Sequence, residues 1–212
     1  MLVRVAWKIA PLPCDKLAAV TSMRAFFCIP LSTRTRYTIH EIADRLRSDT
    51  RMRASWVPES NYHITLRFLG DIEPALTVDL AELCRVACKD IEPFDCALDC
   101  VGAFPNADRA RVIWVGGRAP QSFAHLSQAL SAGLARLGFP KAREETRVHV
   151  TLARVKDRPD PALPDLLSKT HPSPPLSVPV DHIALMESRL TAQGAMYAPL
   201  FTTNLGADHC VD

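Results

Sequence analysis

A four-residue sequence occurs twice in this chain and limits what it can fold into. Residues 63–66 read His-Ile-Thr-Leu and residues 149–152 read His-Val-Thr-Leu, so the copies differ by one exchange of β-branched residues. The chain has seven histidines, and two of them lie in this tetrapeptide. Histidine is the side chain best suited to giving and accepting protons near neutral pH. The repeat therefore predicts one site built from two equivalent strands.

Alternation of side chains along a strand divides each copy into two faces. In the first copy, His63, Thr65 and Arg67 share one face, and the apolar residues between them share the other. In the second copy, His149 and Thr151 share a face, with valine and leucine on the opposite one. Each strand thus presents an imidazole and a hydroxyl on the face that the core does not need. Two such strands side by side would form a cleft.

This set of side chains suits the displacement of a phosphodiester. Such a reaction needs a base for the nucleophile, an acid for the leaving oxygen and donors for the non-bridging oxygens. Two histidines can supply the base and the acid, and two threonines and an arginine can supply the donors. The sequence contains no His-x-His, no His-Glu-x-x-His and no run of acidic ligands. We therefore predict neither a metal nor a cofactor.

Length and composition are those of a soluble globular enzyme. The 212 residues suit one domain, or two small lobes folded as one unit, and 48% of them are apolar. The net charge of +2 is weaker than the basic stripe of proteins that coat duplex nucleic acid, but it permits an RNA end. No apolar run reaches the ~20 residues that span a bilayer. The seven cysteines, odd in number and without a signal peptide, predict buried thiols in the cytoplasm.

The hydrophobic patterns predict an antiparallel α+β domain. We expect residues 1–22 to be a poorly ordered extension, residues 23–206 to form the domain, and residues 207–212 to be a tail. The predicted strands are 23–30, 54–57, 62–68, 94–101, 112–115, 147–153, 178–187 and 196–201. The predicted helices are 32–47, 74–88, 120–137 and a short one at 163–167. Many neighbouring strands lack crossover helices, so a parallel sheet is disfavoured.

Further segments carry a resemblance to a known family across residues 23–202. They are residues 24–27 (Arg-Ala-Phe-Phe), 56–57 (Trp-Val), 63–70, 102–105 (Gly-Ala-Phe-Pro), 112–116 (Val-Ile-Trp-Val-Gly), 149–154 and 185–190 (Leu-Met-Glu-Ser-Arg-Leu). At these spacings the chain resembles the 2H phosphoesterase superfamily. Within that superfamily it is similar to the RNA 2′,3′-cyclic phosphodiesterases, also called 2′-5′ RNA ligase or LigT-like proteins.

The resemblance implies a fold and an activity. The fold is bilobed, with two antiparallel sheets around a central groove, helices on their outer faces and a pseudo-two-fold internal duplication. The activity is hydrolysis of a 2′,3′-cyclic phosphate at an RNA 3′ end or on a nucleotide, giving a 2′-phosphate. His63 would be the general acid for the leaving 3′ oxygen and His149 the general base for water. Thr65, Thr151 and Arg154 would hold the phosphate.

Strand alternation and the resemblance disagree over the arginine. Ideal alternation puts Arg154 on the apolar face, with Val150 and Leu152, whereas Arg67 lies on the same face as its histidine. The strand would have to end or bulge after Leu152, or the long side chain would have to reach round, for Arg154 to enter the cleft. Both arginines are therefore candidates for binding the phosphate.

Two other enzymatic activities and one non-enzymatic function stay open from the sequence. The enzyme could join RNA through a 2′-5′ linkage or act on a small cyclic phosphate metabolite, and a binding module for nucleotides or RNA would need no turnover. Phe26, Trp56 and Phe104 are candidates for stacking on a base. We expect a monomer, because the groove is built within one chain, and no association with a membrane.

Overall fold

The computed structural model describes residues 22–141, 147–192 and 194–206. The predicted tail lies outside these residues, and so does the predicted extension apart from Ser22. Within the described ranges the chain forms ten strands and four α-helices. The strands are β1 (Met23–Pro30), β2 (Ala54–Trp56), β3 (His63–Ile72), β4 (Phe94–Leu98), β5 (Cys100–Phe104), β6 (Val112–Arg118), β7 (Arg147–Val155), β8 (Leu176–Val180), β9 (His182–Thr191) and β10 (Gly194–Asn204). The helices are α1 (Thr33–Asp49), α2 (Thr77–Cys88), α3 (Gln121–Arg136) and α4 (Leu163–Lys169).

The strands form two antiparallel sheets, which confirms the predicted α+β class. Eight strands make the larger sheet, in the order β10-β9-β1-β3-β7-β6-β5 with β2 paired to β7, and β4 pairs with β8 in the smaller one. The two halves of the larger sheet meet where Ile64 of β3 lies opposite Val150 of β7. These are the second residues of the two motifs, so the two copies lie side by side.

Two segments predicted as single strands are each divided between the sheets. Residues 94–101 form β4 and β5, which are separated at Asp99, and residues 178–187 fall in β8 and β9, which are separated at Asp181. At each aspartate the chain leaves the small sheet and enters the large one. Aspartate is disfavoured inside strands, but apolar residues lie on both sides of each position and concealed the breaks. The matching breaks are a further sign of internal duplication.

One hydrophobic core underlies the larger sheet and the helices. Its buried residues include the apolar face of each motif strand, formed by Ile64, Leu66, Val148, Val150 and Leu152. Helices α1, α2 and α3 contribute their apolar faces to the same core. The helices therefore cover one face of the sheet and leave the histidine-bearing face for a groove. None of the described helices is long and apolar enough to span a membrane.

The structure confirms the predicted start of α1 and the predicted state of the cysteines that it describes. The Ser32 hydroxyl accepts a hydrogen bond from the Thr35 amide at 3.1 Å, which caps the helix. Free thiols are buried at Cys28, Cys84, Cys88 and Cys96, and Cys100 is partly exposed. Within the described ranges, no group of three His, Cys, Asp or Glu residues is placed to hold a metal ion.

Candidate active site

The antiparallel register of the two motif strands arranges their polar side chains diagonally. Because Ile64 lies opposite Val150, the same register places His63 across from Thr151 and Thr65 across from His149. These four side chains lie on the face opposite the core, since the residues between them are buried. Each histidine thus lies across from the threonine of the other motif, and the two histidines occupy opposite corners of one site.

A β-bulge in β7 resolves the position of Arg154. Thr151 and Ala153 lie opposite two consecutive residues of β6, so Leu152 has no partner on β6. The extra residue shifts the faces of the residues that follow it. Leu152 and Ala153 are both buried, and Arg154 is exposed on the other side of the strand, where its charge lowers the pKa of His63. The structure therefore places Arg154 on the histidine-bearing face, near His63, and its phosphate-binding role remains a prediction.

The corresponding bulge in β3 turns Arg67 away from the imidazoles. Thr65 and Arg67 lie opposite consecutive residues of β1, so Leu66 has no partner. The Arg67 guanidinium donates a hydrogen bond through Nη2 to the carbonyl oxygen of Pro140. The alternation that favours Arg67 in the sequence is interrupted by this bulge. Its phosphate-binding role remains a prediction, and its side chain is placed elsewhere.

Phe68 occupies in β3 the position that Arg154 occupies in β7. Each is the fifth residue after its histidine and lies beyond the bulge. The Phe68 ring lies 5.8 Å from that of Phe26, which in turn lies 4.8 Å from the His63 imidazole. The duplication therefore keeps the backbone of the two halves but exchanges a cation for an aromatic ring.

Hydrogen bonds fix the tautomer of His63. Its Nδ1 lies 2.8 Å from the carbonyl oxygen of Asn61, and its Nε2 lies 3.1 Å from the Thr65 hydroxyl. A carbonyl oxygen can only accept, so Nδ1 carries a proton and the neutral ring presents the lone pair of Nε2. The side-chain amide of Asn61 donates a hydrogen bond from Nδ2 to the carbonyl oxygen of Ala195 at 2.6 Å, which connects this turn to β10. Nε2, which faces Thr65, is therefore the ring atom of neutral His63 that can accept a proton.

The pKa of His63 is lowered from its ordinary value. Burial is the largest cause, because desolvation disfavours the charged imidazolium. The hydrogen bond to Asn61 acts in the opposite direction, and the positive charges of His149 and Arg154 lower the pKa further. The three side chains therefore lie close enough to influence one another electrostatically, and the lowered pKa favours neutral His63 in the free protein at neutral pH.

Aromatic rings pack edge-to-face against both imidazoles. Tyr197 packs edge-on against His63 with centroids 5.3 Å apart and an interplanar angle of 88°. Phe104 packs in the same way against His149, at 5.1 Å and 83°. Such edge-to-face contacts stabilise a ring in one orientation. Of the aromatics proposed from the sequence, Phe26 and Phe104 lie at the site, whereas Trp56 packs against the main core.

Sequence reasoning missed Asn61 and Tyr197. Asn61 acts on His63 through its backbone carbonyl, which any residue type would supply. Tyr197 lies on β10, which reaches the site only through β9 and β1. Side-chain alternation along β10 predicts which residues share a face with Tyr197. Only the order of the strands in the sheet shows that this face contacts the His63 imidazole.

Comparison with known proteins places this geometry in a family. The chain matches the model of the 2′-5′ RNA ligase superfamily over residues 34–192. It is 38% identical over 147 residues to the RNA 2′,3′-cyclic phosphodiesterase of Aeropyrum pernix, covering 68% of this chain and 82% of that protein. It is 31% identical to the protein of the same name from Aquifex aeolicus, covering 81% of this chain and 94% of that protein.

Solved structures show the same fold. The protein TT0787 of Thermus thermophilus superposes with a TM-score of 0.73 at 29% identity, covering 88% of this chain and 100% of its own. E. coli LigT complexed with 3′-AMP superposes with a TM-score of 0.71 at 25% identity, covering 87% and 99%. With both motifs at one groove and a family match across most of its described residues, this chain belongs to the 2′-5′ RNA ligase superfamily.

Proposed function

We propose that this protein hydrolyses 2′,3′-cyclic phosphates at RNA 3′ ends or on nucleotides to 2′-phosphates, by metal-independent catalysis with two histidines. The observation that carries the proposal is the convergence of His63, His149 and Arg154 in one electrostatic site. Curated relatives that share about a third of its residues are named RNA 2′,3′-cyclic phosphodiesterase. E. coli LigT, which has a similar fold, was crystallised in complex with 3′-AMP, and this supports a nucleotide as ligand.

The two imidazoles divide the proton transfers of the reaction. His149 accepts a proton from water as the water oxygen bonds to phosphorus. The bond between phosphorus and the 3′ oxygen breaks, and protonated His63 donates from Nε2 to that oxygen. Solvent then returns His63 to its protonated form and removes the proton from His149. Acid and base at opposite corners fit an in-line displacement, since the nucleophile and the leaving group lie on opposite sides of phosphorus.

Substrate binding supplies the condition under which His63 acts as an acid. In the free protein, burial and the electrostatic effects of His149 and Arg154 lower its pKa. A cyclic phosphate bound between the histidines brings a negative charge that favours the imidazolium and opposes these effects. The pKa of His63 therefore rises when the substrate is bound. His63 therefore gains its proton when it binds the substrate whose 3′ oxygen will receive that proton.

Thr65, Thr151 and Arg154 hold the phosphate in this proposal. The two hydroxyls lie beside the imidazoles by strand register, and the exposed guanidinium of Arg154 can reach two oxygens of one phosphate. Donors placed where charge accumulates stabilise the transition state more than the ground state. The ribose lies on the side of His63, because His63 serves the leaving 3′ oxygen. There the rings of Phe26 and Tyr197 offer contact to the nucleoside.

A hollow on the other side of the site favours 2′-5′ ligation as a second candidate function. It has a volume of about 510 Å³ and is lined by Phe104, Trp114 and Arg147. Phe104 and Trp114 also contact His149, and the Arg147 guanidinium lies 5.9 Å from the centroid of the Trp114 ring. A nucleoside bound there would present its 5′-hydroxyl in place of water. Hydrolysis and ligation would use the same two imidazoles.

Removal of either histidine tests the acid–base pair. We expect His63→Ala and His149→Ala each to lower kcat on a 2′,3′-cyclic nucleotide by about 10²- to 10⁴-fold, the usual contribution of a general acid or base. His125→Ala, at an exposed position on α3, is the matched control and should keep the rate of the unaltered protein. Thermal unfolding of each variant checks the fold. Near-normal rates in both site variants would refute this mechanism, and tight binding of 2′-AMP without turnover by the unaltered protein would indicate a binding module.

Chelation tests the absence of a metal from the reaction. We expect the turnover of a 2′,3′-cyclic nucleotide to be unchanged after dialysis against excess EDTA, because imidazoles and a guanidinium supply all the charges that the proposal uses. Initial rates before and after dialysis are the measurement, with added Mg²⁺ or Zn²⁺ as the control. Loss of activity that the metal restores would contradict metal-independent catalysis.

The lowered pKa of His63 predicts a difference between two pH profiles. The acid form is needed, so kcat/KM, which reports the free protein, should fall as pH rises through a pKa below about 6.5. The alkaline limb of kcat should lie at higher pH, because the bound anion raises that pKa. The same shift favours the neutral ring in the folded state, so its contribution to stability is present above pH ~6.5 and is lost as pH falls through the folded pKa. Coincident alkaline limbs would contradict this coupling.

A matched pair of arginine variants tests the consequence of the bulges. We expect Arg154→Gln to lower kcat/KM on a cyclic nucleotide by about 10- to 100-fold, because a hydrogen bond to a charged group contributes about 1.5–3 kcal/mol. Arg67→Gln should stay within about threefold of the unaltered protein, because its guanidinium bonds to Pro140. Steady-state kinetics after a check of thermal unfolding is the measurement. The opposite ranking would show that strand alternation, and not the bulge, identifies the phosphate ligand.

A further inference from the structure

A small cavity opens beside His63, on the side assigned to the leaving group. Its volume is about 90 Å³, and its lining includes Arg36 of α1, Ser60 and Asn61 of the turn before β3, and Tyr197 of β10. No acidic side chain is found among the described residues that line it. Sites for whole small molecules usually measure about 300–1,000 Å³. This cavity therefore has room for a single small group, such as a phosphate, and not for a nucleoside.

Arg36 brings an incompletely satisfied guanidinium to this cavity. Its Nε is buried and has no hydrogen-bond partner, and its Nη2 donates to the Thr33 hydroxyl at 3.2 Å. No carboxylate in the described part of the chain forms an ion pair with it. Other arginines do have such partners, for example Arg53 with Asp157 at 3.3 Å. A buried donor without an acceptor is unfavourable, and an entering anion would satisfy it.

The position of Arg36 in its helix adds to the attraction for an anion. It lies in the first turn of α1, and its amide bonds to the carbonyl oxygen of Ser32 at 3.0 Å. The first turn of a helix carries a partial positive charge, so helix and side chain attract the same charge. A guanidinium also matches the geometry of two phosphate oxygens.

We propose that Arg36 binds the phosphate on the 5′ side of the terminal nucleotide. This inference rests on the proposed function, in which His63 protonates the 3′ oxygen and the terminal ribose lies on its side of the site. The 5′ carbon of that ribose carries the phosphodiester to the preceding nucleotide. This phosphodiester fits the cavity next to His63, which has room for one phosphate and is lined by a guanidinium whose Nε has no hydrogen-bond partner. Arg36 thereby selects RNA ends, and 5′-phosphorylated nucleotides, over nucleoside cyclic phosphates that have a 5′-hydroxyl.

The test compares substrates that differ by one phosphate. Adenosine 2′,3′-cyclic phosphate with a 5′-hydroxyl and the same compound with a 5′-phosphate isolate the group without adding a base. We expect the unaltered protein to have a higher kcat/KM for the 5′-phosphorylated substrate. Arg36→Gln should reduce this preference by about 10- to 100-fold, the effect of losing a charge-assisted hydrogen bond. Arg34→Gln, at an exposed position on α1 that does not line the cavity, is the matched control and should keep the preference.

Binding of unreactive ligands separates this inference from the proposed function. The ratio of affinities for adenosine 2′,5′-bisphosphate and 2′-AMP, measured by calorimetry, needs no turnover. A ratio that falls in Arg36→Gln and not in Arg34→Gln supports the inference even if no cyclic phosphate is hydrolysed, an outcome that would instead overturn the proposed function. A ratio unchanged in Arg36→Gln overturns the inference. So does an equal loss of affinity for both ligands, which would assign Arg36 to the fold or to the other phosphate.

Discussion

The pairing of Ile64 with Val150 is the constraint on which the rest of the structure depends. It joins the two halves of the large sheet and fixes the register of the motif strands in the same step. In an antiparallel pair this register places each histidine across from the threonine of the other motif. A shift by one residue would turn one motif into the core and the apolar residues into the groove. The chemistry of the groove and the burial of the core are thus set by one contact.

The paired bulges explain how a duplicated backbone supports a reaction that is not symmetric. Both motif strands bulge at the leucine, so the fifth residue after each histidine points into the groove. In β7 this residue is Arg154, which places a cation in the groove near His63, and in β3 it is Phe68, which extends the group of aromatic rings beside His63. In the proposed reaction, the nucleophile and the leaving group need different surroundings. The same strand backbone can provide both, because the residue at this position is Arg154 in one strand and Phe68 in the other.

The sequence predicted those parts of the molecule that local patterns determine. The two histidines, the apolar faces of their strands and the Ser32 cap follow from residues within a few positions of one another, and the structure confirms these faces and this cap. The choice between Arg67 and Arg154 could not follow from alternation, because a bulge depends on the partner strand as well. The breaks at Asp99 and Asp181 were concealed for the same reason, since each strand pairs with distant segments. Strand order is a property of the whole chain.

In the proposed mechanism, His63 acts as a general acid although its lowered pKa favours the neutral ring in the free protein. The burial and the neighbouring charges of His149 and Arg154 disfavour the imidazolium only while the groove holds no anion. A bound phosphodiester would bring a negative charge to the groove, and the low dielectric that penalised the lone imidazolium would then strengthen its attraction to the phosphate. The proposed mechanism therefore couples protonation of His63 to substrate binding. The hydrogen bond from Nδ1 to Asn61 makes this coupling useful, because it leaves Nε2 as the atom that gains and gives the proton.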